Sequence, residues 1–160
     1  MELTHRASIV VNASPEVVYS LVSDVTRTGE WSPTCRACEW EDPSETGVGA
    51  RFTGHNDNGA RQWSTTSTVA AADPGRTFAW EVGAGYVRWA YLLEPVGGGT
   101  ELTHTWEFTE TGQAFFHEKY GDDAPAQMEQ RTAAARCDMP RTLDTIREIA
   151  EREVASVAAS

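Results

Sequence analysis

The sequence predicts an α+β domain: a curved antiparallel sheet of seven strands, two short helices after the first strand, and a long C-terminal helix across the sheet. Three observations predict it. Residues 35 to 109 alternate apolar and polar side chains with a period of two, broken by turn residues. The last third instead repeats its apolar residues at steps of three, four or seven. Only that last segment, roughly 40 Å long as a helix, can reach across a whole sheet face.

Residues 4–12 read as the first strand, with Ala7, Ile9 and Val11 on one face. Ser14-Pro15 opens a helix, because serine can accept from a free N–H of the first turn and proline lacks an N–H that would go unused there. Val17, Val18, Leu21, Val22 and Val25 follow at helical spacing. A second helical turn over 26–30 ends at Trp31-Ser32-Pro33. Strands then cover 35–40, 50–56, 61–71, 77–82, 86–94 and 100–109. Gly47-Val48-Gly49, Asp57-Asn58-Gly59, Asp73-Pro74-Gly75, Gly83-Ala84-Gly85 and the glycine-rich stretch after Pro95 separate them. Links this short predict a meander of antiparallel neighbours.

A short helix is predicted over 113–120, broken by Gly121-Asp122-Asp123, and the long helix over 125–153. The apolar stripe of that helix reads Met128, Ala135, Met139, Leu143, Ile146 and Ala150. Pro140 predicts a kink near 136–140. One domain over 1–154 with a frayed tail over 155–160 is expected.

A chain of 160 residues, 40% of them hydrophobic, can bury a core of its own, which excludes a disordered chain. Its net charge of −11 and lack of a basic run argue against nucleic acid and against adhesion to an anionic membrane. No apolar run approaches a membrane span, so no membrane insertion is expected. The first residues carry no apolar stretch, so no secretion signal and a cytoplasmic location are expected.

Cys35 and Cys38 form a C-x-x-C, but zinc needs two further ligands, and Cys137 with a scattered histidine is a poor second pair. Residues three apart on a strand point to opposite faces, so ordinary thiols are expected rather than a redox pair. The chain shows no P-loop, no G-x-S-x-G, no H-E-x-x-H and no complete dinucleotide motif, so no metal or nucleotide cofactor is expected.

Trp63, Trp80, Trp89 and Trp106 fall on the predicted inner face of four strands, with Tyr91 beside them. Aromatic residues dominate ordinary cores, and they also wall small-molecule sites. Thr65, Ser67, His104 and Asn56 share these faces, and a dry core rarely holds so many polar groups. The balance favours a cavity between the sheet and the long helix, to which Met139 and Leu143 contribute from the helix stripe. His104, mid-strand on the apolar face, is the one catalytic candidate, and a structural histidine bonded to a neighbour is the plainer reading. His55 is expected to face outward, and His117 to lie on a solvated helix face. Arg136, one residue off the helix stripe, could reach a ligand carboxylate or lie at the surface. Asn56 could donate to a ligand carbonyl or hold the hairpin.

Motifs along the whole chain resemble the START-like or SRPBCC superfamily, which includes birch-pollen-allergen-like proteins, and its polyketide cyclase/dehydrase-like branch common in actinobacteria. They are Ala13-Ser14-Pro15-Glu16-Val17-Val18-Tyr19, Ser23-Asp24-Val25 leading to Glu30-Trp31-Ser32-Pro33, and Val48-Gly49-Ala50-Arg51-Phe52-Thr53-Gly54. Asp73-Pro74-Gly75-Arg76-Thr77-Phe78-Ala79-Trp80 and Leu93-Glu94-Pro95 with Gly98-Gly99-Thr100 continue the match. The resemblance implies a helix-grip fold with a ligand cavity, and it leaves the activity open. Three functions are carried forward: carrier or sensor of a small apolar ligand, polyketide cyclase or dehydratase, and protein-interaction module. A monomer or homodimer is expected.

Overall fold

The computed structural model describes residues 3–159, so Met1, Glu2 and Ser160 of the expected domain and tail lie outside the described residues. Seven strands form one antiparallel sheet: β1 (Leu3–Val11), β2 (Cys35–Trp40), β3 (Arg51–Asp57), β4 (Gln62–Asp73), β5 (Thr77–Val82), β6 (Val87–Val96) and β7 (Gly99–Phe108). Strands β2 to β7 form the predicted meander. β1 departs from it by pairing with β7, so the spatial order is β1-β7-β6-β5-β4-β3-β2.

Between β1 and β2 lie α1 (Pro15–Val22) and a 3₁₀ segment, Val25–Glu30. The Ser14 hydroxyl accepts from the Val17 amide, as predicted for an N-cap, and Pro15 stands at the first helical position. The 3₁₀ segment is capped in the same way by Asp24, which accepts from the Thr26 amide. At the β3–β4 turn, Gly59 takes φ +87°, and Asp57 and Asn58 accept from the turn amides.

After β7 come α2 (Glu110–Tyr120), a 3₁₀ turn Gly121–Asp123, and α3 (Ala124–Ala159). α2 begins earlier than predicted because Thr109 caps it, accepting from the Gly112 amide. α3 also runs past its expected end, so residues 155–159, expected to fray, are helical. It continues through Pro140, which lies on the exposed side. No helix of the described residues is long and apolar enough to cross a membrane.

Two apolar clusters result. The larger joins α1, the 3₁₀ segment and the second half of α3 to the sheet through Val18, Leu21, Phe78, Leu93, Leu102 and Ile146. The smaller joins α2 and the first half of α3 to the far end of the sheet through Trp106, Phe108, Met128, Ala135 and Met139. α3 makes its closest backbone approach to β1 and then β7, at one side of the sheet.

Candidate functional site

The pairing registers place every predicted inner-face set together. Asn56 lies opposite Trp63, Gly54 opposite Thr65, Val69 opposite Trp80, Trp80 opposite Trp89, Trp89 opposite Trp106, and Tyr91 opposite His104. At the centre of this face the rings stack. Tyr91 and His104 lie 4.2 Å apart at 11°, Trp89 and His104 5.1 Å apart at 22°, and Trp80 and Trp89 6.2 Å apart at 15°. Trp80 packs against the larger apolar cluster and Trp89 against the smaller, so the stack spans the junction between them.

Packing is looser at this junction than on either side of it. Trp63, Trp80 and Trp89 are only half-buried although they sit on the concave face, and Trp80 is on the middle strand. Trp106 is buried at 3% exposure, beside the helix-covered side of the sheet. Close-packed interiors leave no indole face bare, so the half-exposed tryptophans mark where packing stops.

His104 is buried, and its Nδ1 lies 3.0 Å from the Ala90 carbonyl oxygen. A carbonyl only accepts, so Nδ1 carries the proton and Nε2 presents the lone pair. Burial, against this hydrogen bond, pushes the imidazole down to about 4, and the ring is neutral at pH 7. Neither Nε2 of His104 nor the Ser67 hydroxyl has a protein partner among the described residues. No sealed side-chain nitrogen or oxygen among those residues is unpaired. Both atoms therefore border open space on the concave face. Tyr91 lies beside His104, and burial raises the pKa of its hydroxyl.

Two guanidiniums lie near this face. Arg61 lies over the Trp63 ring at 4.4 Å, at the β3–β4 turn. Arg131 of α3 lies over Phe116 of α2 at 5.4 Å and donates to Gln127. Burial, and then the nearby charge of Arg61, oppose protonation of Arg131. No carboxylate forms an ion pair with either guanidinium among the described residues.

Of the predicted contacts, Trp63, Thr65, Trp80, Trp89, Tyr91, His104 and Trp106 share the concave face. Met139 and Leu143 are buried, but in different apolar clusters. Asn56 makes long bonds to the Gly54 and Trp63 carbonyls, at 3.5 and 3.4 Å, and so holds the hairpin. Arg136 is exposed and is not brought to the site. Arg131, which the sequence reading passed over, is the α3 arginine held part-buried instead, over Phe116. The signal for it is the seven-residue step from Met128 to Ala135, where Arg131 and the buried Thr132 occupy the positions the apolar stripe skips. His55 faces outward as expected, bonded to Ser64 and Glu39.

Two surface clefts lie elsewhere. One of about 310 Å³ is bordered by α1, Arg27 and Glu153, and one of about 180 Å³ by Glu41, Asp42, Glu45, Gly49 and Arg51. None of the predicted contacts lines either. No group of three or more His, Cys, Asp or Glu among the described residues is placed to hold a metal ion.

A family model described as polyketide cyclase/dehydrase and lipid transport matches residues 3–139. The solution structure of the Polyketide_cyc-like protein Cgl2372 from Corynebacterium glutamicum is 47% identical, with TM-score 0.72, over 96% of this chain and 94% of that one. The Zhui aromatase/cyclase from Streptomyces sp. R1128 is similar in fold, with 20% identity and TM-score 0.77 over 96% of each chain. Ara h 8.0201 shares the fold at 14% identity and TM-score 0.61, over 94% of this chain and 98% of its own. None of the curated proteins compared with the chain matches it.

Proposed function

The chain belongs to the polyketide cyclase/dehydrase and lipid transport family, and from that premise we propose that it binds a small lipid- or polyketide-like molecule on the concave face of its sheet, as a carrier or sensor. The observation that carries this reading is the strip of half-exposed, stacked aromatic rings around His104, at the junction the helices leave open. An apolar ligand lying on Trp80 and Trp89 would bury surface that is now in contact with water, at roughly 25 cal/mol per Å² of apolar area. A few polar groups would orient it: Nε2 of His104 and the Ser67 hydroxyl within, Arg61 and Arg131 at the rim. The two guanidiniums favour a ligand with an acidic end, such as a carboxylate.

The test is native mass spectrometry of freshly purified protein, followed by release and identification of anything bound. The expected result is a retained amphiphile that is lost in Trp89→Ala. Protein that is ligand-free, and that takes up no fatty acid or aromatic polyketide when these are added, would sink the reading.

A cyclase or dehydratase acting in the same place is the second reading, favoured by the free lone pair of His104. That nitrogen can accept a proton from a ligand hydroxyl or enol, yet a base pushed down to about 4 is weak for proton abstraction at pH 7. Binding is therefore preferred. An enzyme would turn over a poly-β-ketone substrate, and His104→Ala would lower its rate and leave binding intact. The interaction-module reading is favoured by no specific observation of this structure.

A further inference from the structure

The two cysteines of β2 were expected on opposite faces of a regular strand. β2 is not regular. Its pairing with β3 runs Cys35 to Asn56, then Ala37 to His55 and Cys38 to Gly54, so Arg36 is an inserted residue. Such a bulge reverses the alternation beyond it. Cys35 and Cys38 thus share the concave face, and their sulfurs lie 3.4 Å apart, in contact and unbonded.

Gly54 lies beneath the pair. A Cβ there would stand 3.5 Å from each sulfur and 3.3 Å from the Thr65 hydroxyl. The bulge thus sets both thiols side by side over this glycine. We propose that Cys35 and Cys38 form a redox-active dithiol that exchanges with low-molecular-weight disulfides.

The environment divides the labour. The Cys35 thiol is drawn down to about 7, first by the Cys38 thiol and against the effect of burial. Cys38 is pushed up, first by Cys35 and then by burial. We assign Cys35 as the attacking thiolate and Cys38 as its protonated partner, an assignment that the paired variants test. The Cys35 thiolate attacks one sulfur of a disulfide RSSR. A Cys35–SR bond forms, the RS–SR bond breaks, and RS⁻ leaves. Cys38 then gives up its proton to that thiolate, and its sulfur attacks the Cys35 sulfur. The Cys35–Cys38 bond forms and the second RS⁻ leaves, so the protein dithiol is oxidised and one disulfide is reduced to two thiols. Bonding draws the sulfurs in to about 2.05 Å. Both cysteines are partly exposed, which gives the reagent access.

The experiment incubates the reduced full-length chain with oxidised glutathione at graded glutathione ratios, quenches with acid, and maps each cysteine by alkylation and mass spectrometry. The expected product has lost two hydrogens, carries a Cys35–Cys38 cross-link, and reverts in reduced glutathione. Exposed Cys137, which has no partner thiol, reports background as a plain glutathione adduct. Cys38→Ser should trap glutathione on Cys35, whereas Cys35→Ser should leave Cys38 largely unmodified, with circular dichroism confirming that both variants fold. The wild-type measurement stands without the variants. Wild-type protein that keeps both thiols free, or that holds glutathione on either one without closing the internal bond, would overturn the proposal. Equal trapping in the two variants would overturn the assigned roles.

Discussion

The two sides of the sheet obey different packing rules. At the β1–β7 side, α3 covers the concave face, and Leu102, Phe108 and Ile146 are sealed there at 2% exposure or less. On β4–β6, Val69, Phe78 and Tyr91 of the same face are buried in the larger cluster, whereas Trp63, Trp80 and Trp89 remain partly exposed. Residue type does not set the difference, because both sides are apolar by the same alternation. Helix coverage sets it: side chains interlock under α3 at β1 and β7 and next to α1 on β5 and β6, and the three tryptophans lie between these covered zones. On the proposed function, stability and binding fall to different parts of one surface.

Truncation on the two sides should separate these roles. Leu102→Ala removes a fully buried side chain and should cost about 3 kcal/mol, lowering the thermal midpoint by roughly 10 °C. Trp89→Ala should cost about half as much in stability, since the ring is already part-exposed, and should abolish retention of a bound amphiphile. Equal thermal losses with unchanged ligand retention would erase the distinction.

His104 sharpens the contrast through pH. Its pKa is about 4 in the folded chain and close to 6.5 when exposed, so the unfolded chain binds more protons between these values. Stability from this group is complete above about pH 6.5 and falls as pH drops through that window, by about 2–3 kcal/mol at its lower end. Urea midpoints for the wild type and His104→Gln should diverge above pH 6 and converge toward pH 4. Parallel curves would mean that the ring titrates freely.

Smaller effects are expected at the rim and on the convex face. Arg131→Gln should weaken binding of a carboxylate-bearing ligand about tenfold and leave an uncharged analogue unaffected, measured by quenching of tryptophan fluorescence. On the convex side, Arg88 bridges Glu81 and Glu107 in water, and Arg88→Ala should cost about 0.5 kcal/mol in chemical denaturation.

Alternation alone placed every inner-face residue from Trp63 to Phe108 correctly, because side-chain direction in a strand is a local property. Three features were hidden for physical reasons. The pairing of β1 with β7 joins distant segments, and no local pattern encodes a partner. The bulge at Arg36 adds one residue without any glycine or proline to signal it. On α3, a reading by apolar residues alone passed over Arg131, whose long side chain lies against a ring at the edge of the core, and favoured the exposed Arg136. The START-like motifs carried the helix-grip architecture, and they carried no information on which residues stay wet.

The bulged β2 has one more consequence, for the outer margin of the sheet. A strand with regular backbone spacing is a template on which another chain can add. Here the spacing is broken at Arg36, and Arg36 and Glu39 carry opposite charges in exposed positions. An incoming strand would meet mismatched donors and acceptors and have to strip water from both ions. The irregularity that turns two sulfurs toward each other thus also guards the molecule against edge-to-edge aggregation.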